Sequence, residues 1–527
     1  MNTWSLLQNR VLKLTTIKSV VILGGGSSGW CSAAALSKFC PELDITVIES
    51  DTIPTIGVGE STIQYFNHFI KLLGLRDQDW MPKCAATYKN AIRFSNFKPD
   101  HYYYAPFYEM PVNNTDFHNR LHEWSTLATY DSSLTGTEFA RYIWPGSYLL
   151  DANRICLQDS TLDFSIAANT SYNLDAGLFG RYLRDQYCRP RGVKAVLDTI
   201  VGIHHKGYPQ IGYLIGESGA FYEADLFIDC TGFRAYLLNA VGAQFQPYKE
   251  LFNNRAVVYN NIQYQDPNQE MLGYVDTNAQ PYGWIWRIPL WNRISMGHVY
   301  STNFSTDDEA KLALDKFVGA KRVQGHEPMF VDMQNGRQDR AWIGNVVGIG
   351  LSSGFIEPLG STGLLLTQRG IIRLATMLVA NNYQVSRFDT DLFNRAYRDL
   401  IDSFKDFYLI HFATTTRTDT EYWRYIHDKL SPDSESYQLA TQPLLNTISE
   451  TPYNSLLNQW HWQLYGMGKR GVSIDLLNSV RHNPATRKNC LKNYHDFLQR
   501  DRDLKKYVTK LPTLYEYQRE NIYLDRG

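Results

Sequence analysis

The chain has 527 residues, with 52 Lys and Arg against 53 Asp and Glu and a formal net charge of −1. That length buries a sizeable core, and so even a charge balance excludes the broad positive field that nucleic acid or an anionic membrane surface would need. The seven cysteines are scattered, with no C-x-x-C pair and no Cys/His cluster at zinc spacing, so no metal site is expected and the thiols read as reduced, in a cytoplasmic protein.

Residues 1–16 read as an N-terminal extension without the apolar core or cleavage site of a secretory signal. From Lys18 the run SVVILGGGSSGWCSAAALSKF, followed after a turn by DITVIES, spells strand, glycine loop, helix, strand. Gly24, Gly26 and Gly29 fill the pattern G-x-G-x-x-G between that strand and helix, and Glu49 closes the next strand. This is the context a dinucleotide fingerprint requires. Gly24 permits the tight turn, Gly26 brings the backbone amides of the loop with Ser27 and Ser28 to a pyrophosphate, Gly29 lets helix and strand pack closely, and Glu49 can accept from ribose hydroxyls.

Residues 54–66 then read as a glycine-rich loop giving way to a helix, and residues 100–136 as a long polar and aromatic excursion near the substrate side. An amphipathic helix is expected over 172–192, and DLFIDCTGF at 225–233 is a buried strand ending on a Thr-Gly turn. That late strand, with the glycine-rich segment 348–363, favours FAD over NAD and adds Asp229, Gly232 and Gly350 to the cofactor set. Residues 283–299 alternate like antiparallel strands, 364–381 read as a helix, and the chain beyond about 392 is mostly helical. No repeat or low-complexity linker divides it, and no stretch reads as a membrane span.

GVGES at 57–61, TYKNAIRF at 87–94 and GWIWRIP at 283–289 resemble the tryptophan halogenase family, a similarity that runs from about residue 17 to about 468. The resemblance implies an α/β fold. An FAD-binding Rossmann-like domain of the flavin monooxygenase type would occupy 17–400, interleaved with an antiparallel substrate-side sheet, and 401–527 would be a mainly helical substrate-side region. It implies FAD as FADH2, held in part by Gly57 and Gly59, a halide co-substrate, a small aromatic substrate, and a homo-oligomer as one possible assembly. Because no second nucleotide fingerprint is found, a separate flavin reductase is expected.

Lys89 stands at the family's catalytic lysine, whose ammonium holds hypohalous acid or carries its halogen. Trp284 and Trp286 match the signature W-x-W-x-I-P, which implies a partition between flavin and substrate. Ser361, Thr362 and Gly363 match the family's Ser-Thr-Gly: Ser361 is implied at the catalytic site, and the amides of Thr362 and Gly363 at a halide nest. Two residues depart from the pattern. Gly360 stands where a Glu precedes the Ser, so the usual Lys/Glu pairing is absent, and Ala105 stands where many tryptophan-specific members carry His.

Glu357 is open to two readings, a catalytic carboxylate or a buried one bonded to backbone amides. Phe107 is expected to stack on an arene, while Trp460, with Trp423 and Trp462, is open to two readings, further rings for the pocket or, more often for such residues, the packing of an aromatic helix face. The resulting expectation is electrophilic halogenation of electron-rich arenes such as indoles and phenols by hypohalous acid made from FADH2, O2 and halide and relayed to Lys89. Among halides, bromide or iodide would best tolerate the weakened lysine site. The rivals are a single-component FAD-dependent aromatic monooxygenase and a flavin-binding protein without catalysis.

Overall fold

The computed structural model describes residues 14–52, 59–108, 136–413, 415–430 and 482–524, with 123, 124, 126, 127, 131, 133 and 134 between them. Gly57, Trp460 and Trp462 lie outside the described residues.

The opening segment folds as its pattern dictates. Strand β1 (Ser19–Leu23) is buried from Val20 onward, helix α1 (Ser27–Phe39) turns Gly29 and Ala33 to Ala35 inward, and β2 (Asp44–Glu49) closes the unit. Small residues on the inner stripe let the helix lie close on the sheet.

Then come β3 (Gly59–Ser61), α2 (Tyr65–Leu73), β4 (Thr87–Lys89), β5 (Ala91–Ser95) and β6 (Tyr102–Pro106). The last corrects the expectation of an irregular excursion from residue 100: YYYAP pairs antiparallel with β5, Ala105 opposite Ile92. Tyrosines suit a strand, and because four of these five residues are buried on one face or the other, no alternation marks it.

A second correction concerns 172–192. Ser171–Asp175 is a strand, β7, central in the order β3-β7-β4, and the helix begins only at Ala176, capped by the Asp175 side chain. A short strand buried on both faces carries no period-2 signal.

The other strands of the two largest sheets are β8 (Lys194–Leu197), β9 (Leu226–Asp229), β10 (Arg255–Ile262), β11 (Tyr274–Gln280), β12 (Gly283–Pro289), β13 (Ile294–Tyr300), β14 (Met329–Asp332), β15 (Trp342–Ile343) and β16 (Val346–Gly348). A six-stranded sheet runs β8-β2-β1-β9-β16-β15, parallel except at β15. A seven-stranded sheet runs β14-β10-β13-β12-β11-β5-β6, antiparallel except where β11 meets β5. Because segments of the second sheet fall between strands of the first in sequence, the two interleave as expected.

Helices α3 (Gly363–Ala380), α4 (Arg387–Ala413), α5 (Glu421–Leu430) and α6 (Pro484–Val508) follow. Contrary to the sequence expectation, α3 is long and apolar enough, at mean hydropathy 1.3 over 18 residues, to cross a membrane by length and composition alone. It packs on α1 with 56% of that window buried, and a helix apolar around most of its circumference is what a core position between layers demands.

The C-terminal segment returns to the middle of the molecule. The fully buried side chain of Gln518 accepts from Tyr88 N (3.0 Å) and donates to the Ala86 carbonyl (3.3 Å), continuing the edge of β4 as a strand would. Trp291 stacks on both Tyr515 and Tyr523 beside it. Residues more than 400 positions away in sequence thus hold the strand that ends on Lys89.

Candidate functional site

The glycine loop has the conformation that its residue types permit. Gly24 sits at φ +117, and a Cβ there would run into the Cys230 carbonyl; a Cβ on Gly29 would run into the Gly24 carbonyl. Gly26 N-caps α1 with no side-chain cap, so the first amides of the helix keep their donors and the positive end of the helix dipole for an anion. Glu49 lies beside the loop, accepting from Trp30 Nε1 (3.2 Å) and Arg184 (2.9 Å).

Ser28 Oγ bonds Thr367 Oγ1 of α3 (2.9 Å), and a Cβ on Gly350 (φ +78) would strike that serine. Gly350 and the glycine loop therefore face one another. Asp229 is buried, with its oxygens taken by Thr231, Leu237 and Leu238, and so shapes the turn at Gly232 (φ +67). This cradle of free amides, close glycine approaches and an acceptor at the second strand fits the ADP half of FAD. Replacing Gly24 with Ala forces a strained φ and a backbone clash, so FAD affinity is expected to fall at least roughly tenfold, read by fluorescence titration with the flavin.

Lys89 ends β4 fully buried. Its Nζ donates to the Thr62 carbonyl (2.9 Å) and to Ser361 Oγ (3.0 Å) and lies 5.2 Å from the centre of the Phe107 ring. No carboxylate pairs with it among the described residues, and burial holds its pKa well below the usual lysine range. Ser361 adopts a left-handed backbone, φ +58, uncommon for a residue with a side chain, and strain of this kind clusters at functional sites. Thr362 and Gly363 follow at the head of α3, an 18-residue helix.

Trp284 and Trp286 stand on one face of β12 with ring centres 6.1 Å apart. Trp284 Nε1 donates to Glu357 Oε2 (2.8 Å), as does Asn253 Nδ2 (2.8 Å). Glu357 is thus a buried carboxylate, but its partners are side chains rather than backbone amides, and its Oε1 has none among the described residues. Burial pushes its pKa up to about 7. Through Glu357 the tryptophan pair is tied to the segment 357–363 that also carries Ser361 and Thr362.

Several contributors escaped the sequence reading. Thr62 supplies only a carbonyl, and Asn253 and Tyr408 act across long sequence separations, so no local pattern marks them. Glu60, the fourth residue of GVGES, was in plain view. Its carboxyl, pushed up to about 7 by removal from water, lies beside Gly363 with no hydrogen-bond or ion-pair partner among the described residues. Trp423 is buried against Arg417 and the Gln280 carbonyl, as packing. All seven cysteines are free, and among the described residues no cluster of His, Cys, Asp or Glu is placed to hold a metal.

The tryptophan halogenase family profile matches residues 19–473. The 7-chloro-L-tryptophan 6-halogenase KtzR of Kutzneria sp. (strain 744) is 31% identical over 527 aligned positions, 92% of this chain and 100% of that one. Among solved structures, apo VirX1 superposes at TM-score 0.85 with 36% identity, covering 96% of this chain and 99% of its own. Tar14, a tryptophan C-6 flavin-dependent halogenase (chlorinase) from taromycin biosynthesis, does so at 0.81 with 30% identity, covering 95% and 99%.

Proposed function

This chain belongs to the tryptophan halogenase family, and from that premise we propose that it is an FADH2-dependent halogenase acting on small electron-rich arenes, with Lys89 as the residue that delivers the halogen. The observation that carries the reading is the 3.0 Å contact of Lys89 Nζ with Ser361 Oγ, which joins the strand bearing the lysine to the loop that enters α3.

Reduced FAD with O2 supplies the oxidation of halide to hypohalous acid. The chain's own residues do the rest. The amides at the head of α1 hold the pyrophosphate, and those of Thr362 and Gly363 hold the halide. Trp284 and Trp286, fixed by Glu357, form the wall past which the acid must travel. Lys89 then holds it by a hydrogen bond, or as a neutral amine exchanges one N–H proton for the halogen and releases water. In the sum, arene and hypohalous acid give haloarene and water. A lysine whose pKa is depressed by burial has the neutral form within reach, which favours the amine route.

The chlorinase among the structural neighbours makes chloride the first halide to test, while Ala105 argues against assuming free tryptophan as substrate. A separate flavin reductase supplies the FADH2, and the free thiols suit the cytoplasm. The test is mass spectrometry of an indole and phenol panel incubated with enzyme, FAD, reductase, NADH, air and each halide in turn. Halide-specific mass shifts are expected; addition of one oxygen whatever the halide would instead establish a monooxygenase.

A further inference from the structure

Tyr408 sits on α4, 46 residues beyond Thr362, with no exposure to solvent. Its hydroxyl accepts from Gly360 N (2.9 Å) and shares one hydrogen bond with Thr362 Oγ1 (3.0 Å). Neither hydroxyl has another partner among the described residues, and Thr362, 3% exposed, does not cap its own helix. Two hydroxyls joined by a single hydrogen bond use only one of their two protons, and the Gly360 amide occupies a lone pair and not a proton. One buried O–H is therefore left without an acceptor, at the head of an 18-residue helix whose first amides already favour an anion.

The same contacts account for Gly360. A Cβ there would lie 3.0 Å from Phe407 Cε1 and 3.1 Å from the Tyr408 hydroxyl. The space a side chain would grow into is taken by the two α4 aromatics, and a hydroxyl donor now stands where an acidic residue would have put negative charge beside the anion. We propose that the Tyr408–Thr362 hydroxyl pair gives the halide an O–H donor in addition to the amides of Thr362 and Gly363, which makes Tyr408 a positioning residue of the halide site. This rests on reading Thr362 and Gly363 as that site.

Three variants and one soak separate the possibilities. Tyr408→Phe keeps the ring and removes only the hydroxyl. Bromide affinity, measured by calorimetric titration without turnover, and the bromide KM are expected to worsen on the order of tenfold, with the arene KM little changed and the melting temperature lowered modestly, because the Gly360 amide loses its acceptor. Thr362→Val is expected to weaken bromide similarly, and Thr362→Ser to restore it. Anomalous scattering from bromide-soaked crystals locates the ion. Bromide at Thr362 and Gly363 with unchanged affinity in Tyr408→Phe and Thr362→Val overturns the hydroxyl proposal alone; bromide seated elsewhere overturns the halide-site reading beneath it.

Discussion

Replacing Lys89 with Met is expected to remove halogenation while leaving the protein as stable as before or more so. The loss should reach about 10²- to 10⁴-fold, the range for a group that acts directly on the reacting atoms. Stability should not suffer, because Lys89 has no carboxylate to strand: its two acceptors, the Thr62 carbonyl and the Ser361 hydroxyl, are neutral, and burial penalises its charge. Met is unbranched and fills much the same space.

The pH dependence gives this a sign. A lysine whose folded pKa is depressed destabilises the fold wherever both states would be charged, so its penalty is full at low pH and is relieved as pH rises through the folded value toward the unfolded one. The advantage of Lys89→Met over the parent should therefore shrink with rising pH, as denaturant titrations at several pH values would show. Retained halogenation in this variant would remove Lys89 from the mechanism, and a large loss of stability would mean that the amine is structural.

What could be read in advance follows from how far each interaction reaches along the chain. The glycine loop and Glu49 were legible because strand, turn and helix adjoin one another, and the backbone geometry of Gly24 and Gly29 is dictated locally. The tryptophan pair of β12 and the Ser-Thr-Gly segment were legible as a resemblance. By contrast, the strands at 102–106 and 171–175 are buried too evenly to show an alternating pattern. The partners that give Lys89, Glu357 and Gly360 their meaning, Ser361, Asn253 and Tyr408, come from elements that only tertiary packing brings together. Gly360 itself reads in the sequence as the loss of an acidic side chain and in the structure as a filled position, since Phe407 and Tyr408 occupy the volume a side chain would take.

Glu357 is where removal and neutralisation should part company. In Glu357→Ala the Trp284 indole and the Asn253 amide both lose their acceptor in the interior. Stranded buried donors cost about 1–3 kcal/mol each, and the cavity adds to that, so a loss of several kcal/mol is expected, with the tryptophan wall released and arene halogenation impaired. Glu357→Gln keeps an oxygen for those donors and removes the charge. Burial raises the Glu357 pKa from the ordinary value of 4.5 to about 7, so the folded parent holds its proton more tightly than the unfolded chain. Parental stability is then full below about pH 4.5, declines as pH rises, and levels off above about 7. The Gln variant lacks that decline. Its stability relative to the parent should increase by roughly 3 kcal/mol across this window, whatever the constant cost of seating the new amide at the position where Oε1 has no partner among the described residues. Denaturation of both proteins at pH 5 and pH 8 measures the difference directly. Parallel curves would mean that Glu357 is solvated or paired in a way the buried geometry denies, and the tie between the tryptophan pair and the segment 357–363 would have to be sought in another residue.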